Sequence, residues 1–286
     1  MLFKAYAKIN LTLDILGTRE DGFHEVAMIM QSIGLHDDLD IEKKDAGIEL
    51  AIDNTELPAD ESNLCYKAAE LMFDEFNVKG GVKIDLTKRI PMGAGLGGGS
   101  ADAAAVIRGM NEIFSLNASP EKLADISAKI GSDIPFCVTG GTQFATGRGE
   151  ILKRLPDFPK TYLTLIKPAF SVSTPHAYKM YDNTPVVRRP DNEGIIAALK
   201  NGDVKNIYSM MGNVLEAPIA KEYPEINEYK EMMIKAGAIF AQMTGSGSVV
   251  FAIAEDMRSA NKIADAMKAK TSYEVFVTET ISNIEQ

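Results

Sequence analysis

Two short stretches of this 286-residue chain hold residue types that can do chemistry together. The first is Pro91-Met92-Gly93-Ala94-Gly95-Leu96-Gly97-Gly98-Gly99-Ser100, with five glycines in seven residues. Missing Cβ atoms and a free φ let backbone N–H groups converge on an anion at the start of a helix. A flexible hairpin, or a loop packed close to another backbone, is the alternative. Gly93, Gly95 and Gly98 fit G-x-G-x-x-G. A dinucleotide fold, however, wants an acidic residue about 20 positions on, at the end of a second strand. This chain has helix and a turn at 117–120 there. A Walker loop needs G-K-[ST], and no lysine follows. A protein-kinase loop needs Val where Ser100 stands. What survives is a phosphate loop of another kind. The second stretch is Asp21-Gly22-Phe23-His24. An aromatic and an imidazole beside a turn can stack on a planar base and bond its edge, stacking being worth ~1–3 kcal/mol per base in nucleic-acid binders. Taken alone, the pair is better accounted for by Phe23 in the core and His24 satisfied locally.

Strands and helices must carry these groups. Phe3, Ala5, Ala7, Ile9, Leu11, Leu13 and Ile15 alternate with Lys4, Tyr6, Lys8, Asn10, Thr12 and Asp14. That period of two predicts a strand with its apolar set inward and its polar set facing out, Lys8 and Asn10 side by side. Residues 81–87 alternate again and lead into the glycine loop. Beyond it, Ala103, Ile107, Met110 and Phe114 have helical spacing, so the loop connects a strand to a helix. Ser119-Pro120 opens another helix. Leu155-Pro156-Asp157-Phe158-Pro159-Lys160 is the candidate boundary between domains 1–155 and 156–286. Further on, a strand is expected at 162–167 and helices near 193–200, 203–212 and 224–236. Strands at 249–253 and 273–279 flank a helix near 257–269. The pattern is α+β, two layers sharing a cleft.

Lys+Arg 30 against Asp+Glu 40 leaves a net charge of −10, which argues against a nonspecific duplex binder. Two unpaired cysteines, Cys65 and Cys137, give neither a disulfide scaffold nor a zinc site. No apolar run nears the ~20 residues a bilayer requires, and the N-terminus has no signal-peptide pattern. A soluble cytoplasmic protein is expected, with a small-molecule substrate, no nucleic acid and no membrane, as monomer or homodimer.

The loop at 91–100 resembles the central motif of the GHMP small-molecule kinases. Ala7-Lys8-Ile9-Asn10-Leu11, Asp21-Gly22-Phe23-His24-Glu25 and Gly131-Ser132-Asp133-Ile134-Pro135-Phe136 resemble one branch of that family. Its members phosphorylate the 2-hydroxyl of a cytidine-diphosphate methylerythritol. Thr244-Gly245-Ser246-Gly247 resembles the family's third motif, and Asn213-Val214-Leu215-Glu216 the run before it.

The resemblance implies a two-domain GHMP kinase fold, the N-terminal domain like domain 2 of ribosomal protein S5 and the C-terminal one ferredoxin-like. It implies an active site in the interdomain cleft, with ATP as co-substrate and Mg2+. Nucleotide contacts fall on Pro91, Met92, Gly93, Ala94, Gly95, Leu96, Gly97, Gly98, Gly99, Ser100 and Ala101. Ser100 caps the helix, binds a β-phosphate or meets Mg2+; no other protein ligand for the metal is readable. Spacing alone makes Asp133 an N-cap and Lys8 a solvated strand charge. The resemblance instead makes Asp133 the acceptor of the substrate's hydroxyl proton and Lys8 the charge beside that hydroxyl. Phe23 and Tyr178 would stack on cytosine, His24 would bind its polar edge, and Asn10 and Thr174 would contact the substrate.

Overall fold

A computed structural model describes residues 1–203 and 206–284. β1 (Leu2–Thr18) and β2 (His24–Lys44) form a long antiparallel pair on which the first sheet is built. The apolar residues of β1 from Phe3 to Ile15 are all buried, as their alternation requires. Its polar set does not face solvent: Tyr6, Lys8, Asn10, Thr12 and Asp14 are buried as well. The second half of the chain lies over that face and supplies partners. Thr244 Oγ1 accepts the Asn10 N–H at 2.9 Å, Asn192 Oδ1 accepts the Thr12 hydroxyl at 2.5 Å, and Arg189 donates to Asp14 at 2.5 Å. Alternation reports which residues are polar, whereas burial of a polar face depends on whether each group finds a partner.

β3 (Gly47–Ile52) and α1 (Leu64–Phe76) precede β4 (Gly81–Thr87). β4 pairs antiparallel with the C-terminal half of β2 and parallel with β3. The glycine loop then opens α2 (Gly98–Ile113), whose Ala101, Ala103, Ala104 and Ala105 are buried. Small side chains let this helix lie close to the β1–β2 pair. Arg108 of α2 is half-buried and donates to the carbonyls of Lys4 at 2.7 Å and Cys137 at 2.8 Å. Burial lowers its pKa to about 10. α3 (Pro120–Ser127) is capped by Ser119, whose hydroxyl accepts the Lys122 N–H at 3.2 Å. α4 (Ile134–Thr139) follows, then β5 (Thr142–Thr146), paired with the N-terminal half of β2, and β6 (Ile151–Arg154) beside β5.

β7 (Tyr162–Lys167) begins the second sheet. The excursion after it holds α5 (Thr174–Asp182), α6 (Asn192–Asn201), α7 (Ile207–Met210), β8 (Gly212–Asn213), α8 (Glu216–Glu222) and α9 (Glu225–Lys235). The helix expected over 203–212 is thus one turn followed by a strand; residues 204 and 205 lie outside the described residues. β9 (Phe240–Met243), β10 (Val250–Ala254), α10 (Met257–Lys268) and β11 (Glu274–Glu279) complete the chain. The sheet order β11-β7-β10-β9, antiparallel throughout, is that of the ferredoxin-like split βαβ. β8 pairs parallel to Thr12 and Leu13, and Thr280 bridges Ile33, so the second half also extends the first sheet. Among the described residues no helix is long and apolar enough to cross a membrane.

Candidate active site

A cavity of about 1020 Å³ is walled by β1, the glycine loop and the start of α4 on one side and by α5 and the loop at 245–246 on the other. Lys8, Asn10, Phe23, His24, Asp133, Thr174, Tyr178 and all ten residues of the loop at 91–100 line it. Ala101 does not. Its amide donates to the Gly97 carbonyl at 2.8 Å as part of α2, so it is not free to meet a phosphate.

Lys8 is 5 % exposed and donates from Nζ to Asn10 Oδ1 at 2.8 Å. Asp133 Oδ2 stands 3.6 Å from the same nitrogen. Although Asp133 occupies the N-cap position of α4, its side chain makes no capping bond. The carboxylate is therefore not engaged by the backbone, and an alcohol oxygen can sit within reach of both it and Lys8. Asn10 holds Lys8 with its carbonyl oxygen and turns Nδ2 to Met28 Sδ at 3.2 Å, so it orients the lysine. Arg108 ties α2 both to β1 upstream of Lys8 and to α4 downstream of Asp133. Cys65 and Cys137 are buried; burial pushes the Cys65 thiol well up and the Cys137 thiol to about 12, so neither suits a nucleophile.

The glycine loop is pinned on both sides. Leu96 O accepts the Lys8 amide at 3.0 Å, and Ala94 O accepts that of Val249 at 3.2 Å. Gly97, at φ +69, is the N-cap of α2 and lies directly over the stem of Lys8. It offers no capping side chain, which leaves the amides of the first turn to an outside anion. Gly95, at φ +76, has the Thr244 carbonyl oxygen 2.2 Å from where a Cβ would stand. Gly95→Ala is expected to lower unfolding free energy by about 2–4 kcal/mol, from left-handed strain and overpacking together. Chemical denaturation checks this, and an unchanged midpoint would mean the loop lifts off Thr244 at no cost. Asn213 braces the far side, donating to the carbonyls of Met243 at 3.0 Å and Gly245 at 2.8 Å.

Under the loop lies a group that motif spacing did not flag. Lys88 Nζ donates to Asp37 Oδ2 at 2.5 Å and Asp102 Oδ2 at 2.6 Å, with all three side chains buried. Asp37 also accepts the amides of Arg89 and Ile90. The start of the loop and the first turn of α2 are thereby held to β2. Burial raises the Asp102 pKa well above the usual carboxylate range despite Lys88. A signal existed: Asp102 interrupts an alanine run on the face that also carries Ala105, Val106 and Gly109.

At the other end of the cavity Phe23 is 54 % exposed. His24 packs on Tyr178 with ring centroids 4.8 Å apart and 39° between planes. Its Nε2 is 2.7 Å from Asp182 Oδ1. A carboxylate only accepts, so Nε2 carries the proton and Nδ1 of the neutral ring is an acceptor. Nδ1 has no partner among the described residues. Burial, and then the nearby Asp133 charge, raise the Tyr178 pKa. Thr174 Oγ1 meets Ser246 Oγ at 3.4 Å across the wall. Arg148, which spacing gave no reason to single out, also lines this end.

Residues 63–141 match the GHMP kinases N terminal domain and residues 195–272 the GHMP kinases C terminal domain. A 4-diphosphocytidyl-2-C-methyl-D-erythritol kinase of Acetivibrio thermocellus is 45 % identical over 97 % of this chain and 98 % of its own. The protein of that name from Macrococcus caseolyticus is 48 % identical over 92 % and 94 %. The crystal structure of a 4-(cytidine 5'-diphospho)-2C-methyl-D-erythritol kinase superposes with TM-score 0.82 at 32 % identity, covering 98 % of this chain and 99 % of that one. A homoserine kinase from Cytophaga hutchinsonii shares the fold, with TM-score 0.76 at 21 % identity, covering 99 % and 96 %. By full-length identity, by both domains and by fold, this chain belongs to the 4-diphosphocytidyl-2-C-methyl-D-erythritol kinase family of the GHMP kinases.

Proposed function

We propose that the protein transfers the γ-phosphoryl group of ATP to the 2-hydroxyl of 4-diphosphocytidyl-2-C-methyl-D-erythritol, a step toward isoprenoid precursors by the non-mevalonate route. One observation carries the proposal: a phosphate cradle, the Lys8–Asp133 pair and an aromatic pair with a histidine line a single cavity. On the same proposal residues 1–155 form the N-terminal kinase domain and 156–286 the C-terminal one. The enzyme works in the cytoplasm as a monomer or homodimer.

Phosphoryl transfer passes through a loose transition state, so positioning and charge compensation do most of the catalysis. Amides of the glycine loop and the first turn of α2 hold the nucleotide phosphates. The substrate's 2-hydroxyl oxygen bonds to the γ-phosphorus as the bond to the β–γ bridging oxygen breaks, giving ADP. Asp133 takes the hydroxyl proton. Lys8, oriented by Asn10, offsets negative charge on the oxygen and on the group in transit. Mg2+ would enter with ATP and would supply positive charge against that of the phosphates. The described residues hold no group of three His, Cys, Asp or Glu that could cage a metal. The Ser100 hydroxyl, which lines the cavity at the glycine loop, is the side chain that would meet the ion.

Phe23 and Tyr178 stack on the cytosine, and Thr174 borders the same subsite. Cytosine presents an amino donor where uracil has a carbonyl acceptor. The acceptor Nδ1 of His24 suits the first and repels the second. Cytidine diphosphate esters are therefore expected to bind at least tenfold (about 1.4 kcal/mol) better than uridine analogues. Equal affinities by calorimetry would show that the base edge goes unread. The broader test is ATP consumption by the purified protein with one alcohol added at a time. ADP should form with the cytidine-diphosphate ester and not with homoserine or mevalonate; turnover with either of those instead would overturn the proposal.

A further inference from the structure

We propose that Arg148 holds the diphosphate that joins the base to the polyol, which rests on the cytidine substrate proposed above. Residues 147–150 form the turn between β5 and β6 and reach both ends of the acceptor site. On one side the Arg148 guanidinium lies over the Phe23 ring, 5.2 Å from its centroid. On the other, a Cβ on the next residue, Gly149, would stand 3.9 Å from Asp133 Oδ1. The turn that carries Arg148 thus spans from Phe23 to the neighbourhood of Asp133. A nucleoside diphosphate ester stretched between them must carry its two phosphates past this turn.

The charge inventory points the same way. Four cations line the cavity: Lys8, Lys88, Arg148 and Lys179. Lys88 is locked between two carboxylates and Lys8 belongs to the reacting hydroxyl, which leaves Arg148 and the exposed Lys179 of α5; of these, Arg148 is the one resting on Phe23. The Arg148 side chain makes no hydrogen bond among the described residues, its contact with Glu150 being an ion pair of 3.7 Å. Its backbone is nonetheless anchored, the amide donating to Glu150 Oε2 at 2.7 Å, while Gly147 N–H donates to Glu25 Oε1 at 2.9 Å. A fixed backbone, a face resting on an aromatic ring and unengaged N–H donors are what bidentate phosphate binding requires.

Calorimetry of cytidine, CMP and CDP, with the phosphate cradle saturated by ADP, tests this on wild type, Arg148→Met and Arg148→Lys. Wild type should bind CDP more tightly than cytidine. In Arg148→Met the CDP affinity should fall about tenfold or more while that for cytidine changes less than about twofold. Arg148→Lys should lie between, having the charge without the fork. An equal fall for cytidine and CDP would assign Arg148 to the base stack and overturn the diphosphate role, as would an unchanged CDP affinity. Failure of the cytidine proposal is a separate result, namely equal binding of CDP and UDP by wild type. The difference between CDP and cytidine in Arg148→Met decides the role of Arg148 in either case.

Discussion

Asp133→Asn is expected to lose ~10²–10⁴ of kcat while KM for ATP stays close to its wild-type value. The substitution keeps the shape of the side chain and removes only its capacity to accept a proton. It should cost little stability, because Asp133 makes no capping bond and its contact with Lys8 is a 3.6 Å approach, not a hydrogen bond. Single-turnover measurement separates the chemical step from product release, and thermal denaturation verifies the fold. Retained turnover in the folded variant would remove Asp133 from the mechanism and leave it a bystander at the start of α4. A fall in ATP affinity without a fall in the chemical step would move it to the nucleotide site instead.

Lys8→Ala is expected to cost ~10²–10³ in kcat, by analogy with the loss of one preorganised donor to a developing oxyanion. Three features of its setting argue for an effect of that size. Lys8 is shielded from water, so its charge acts in a medium where electrostatic interactions are strong. Asn10 fixes its direction at 2.8 Å, so no reorganisation is needed at the moment of transfer. Gly97 lies on its stem, bringing the lysine directly under the cradle. Because Lys8 and Asp133 act on one oxygen, their effects should not add. The double variant Lys8→Ala/Asp133→Asn should fall little below the worse single one. Multiplicative losses in a double-mutant cycle would mean that the two residues serve different steps. The Asn10 carbonyl left without its partner gives Lys8→Ala a modest stability loss as well, which denaturation reads independently of rate.

Much of the framework was legible because local rules and the tertiary fold agree. The period-two run of β1, the change of period after the glycines and the Ser119-Pro120 cap each appear where spacing put them. The glycine loop connects a strand to a helix, as the change of period required, and its composition is what suggests an anion there, since glycine at that density weakens a chain unless something occupies the space. The misses have a common cause. The outward face assigned to Lys8, Asn10, Thr12 and Asp14 was wrong because Thr244, Asn192 and Arg189 arrive from more than 170 residues away to cover it. The helix expected over 203–212 yielded to β8, which gains ladder bonds to β1 that no local propensity foretells. Lys88 follows a strand and Asp102 lies on a helix, and neither position signals the other; only the fold closes them around Asp37.

The sequence by itself determined the glycine loop between strand and helix, the strand that carries Lys8, the α+β class and, through the joint match of ordered motifs, the kinase family. These depend on residue type and short spacing, which a linear chain records. Only the tertiary structure decided that Asp133 is free of its cap, that Nε2 of His24 meets Asp182, and that Arg148 rests on Phe23 in a turn that also approaches Asp133. Each is a question of which of several available partners a group meets. That choice is made when two sheets close on one cavity and the surrounding chain takes up every donor and acceptor but a few.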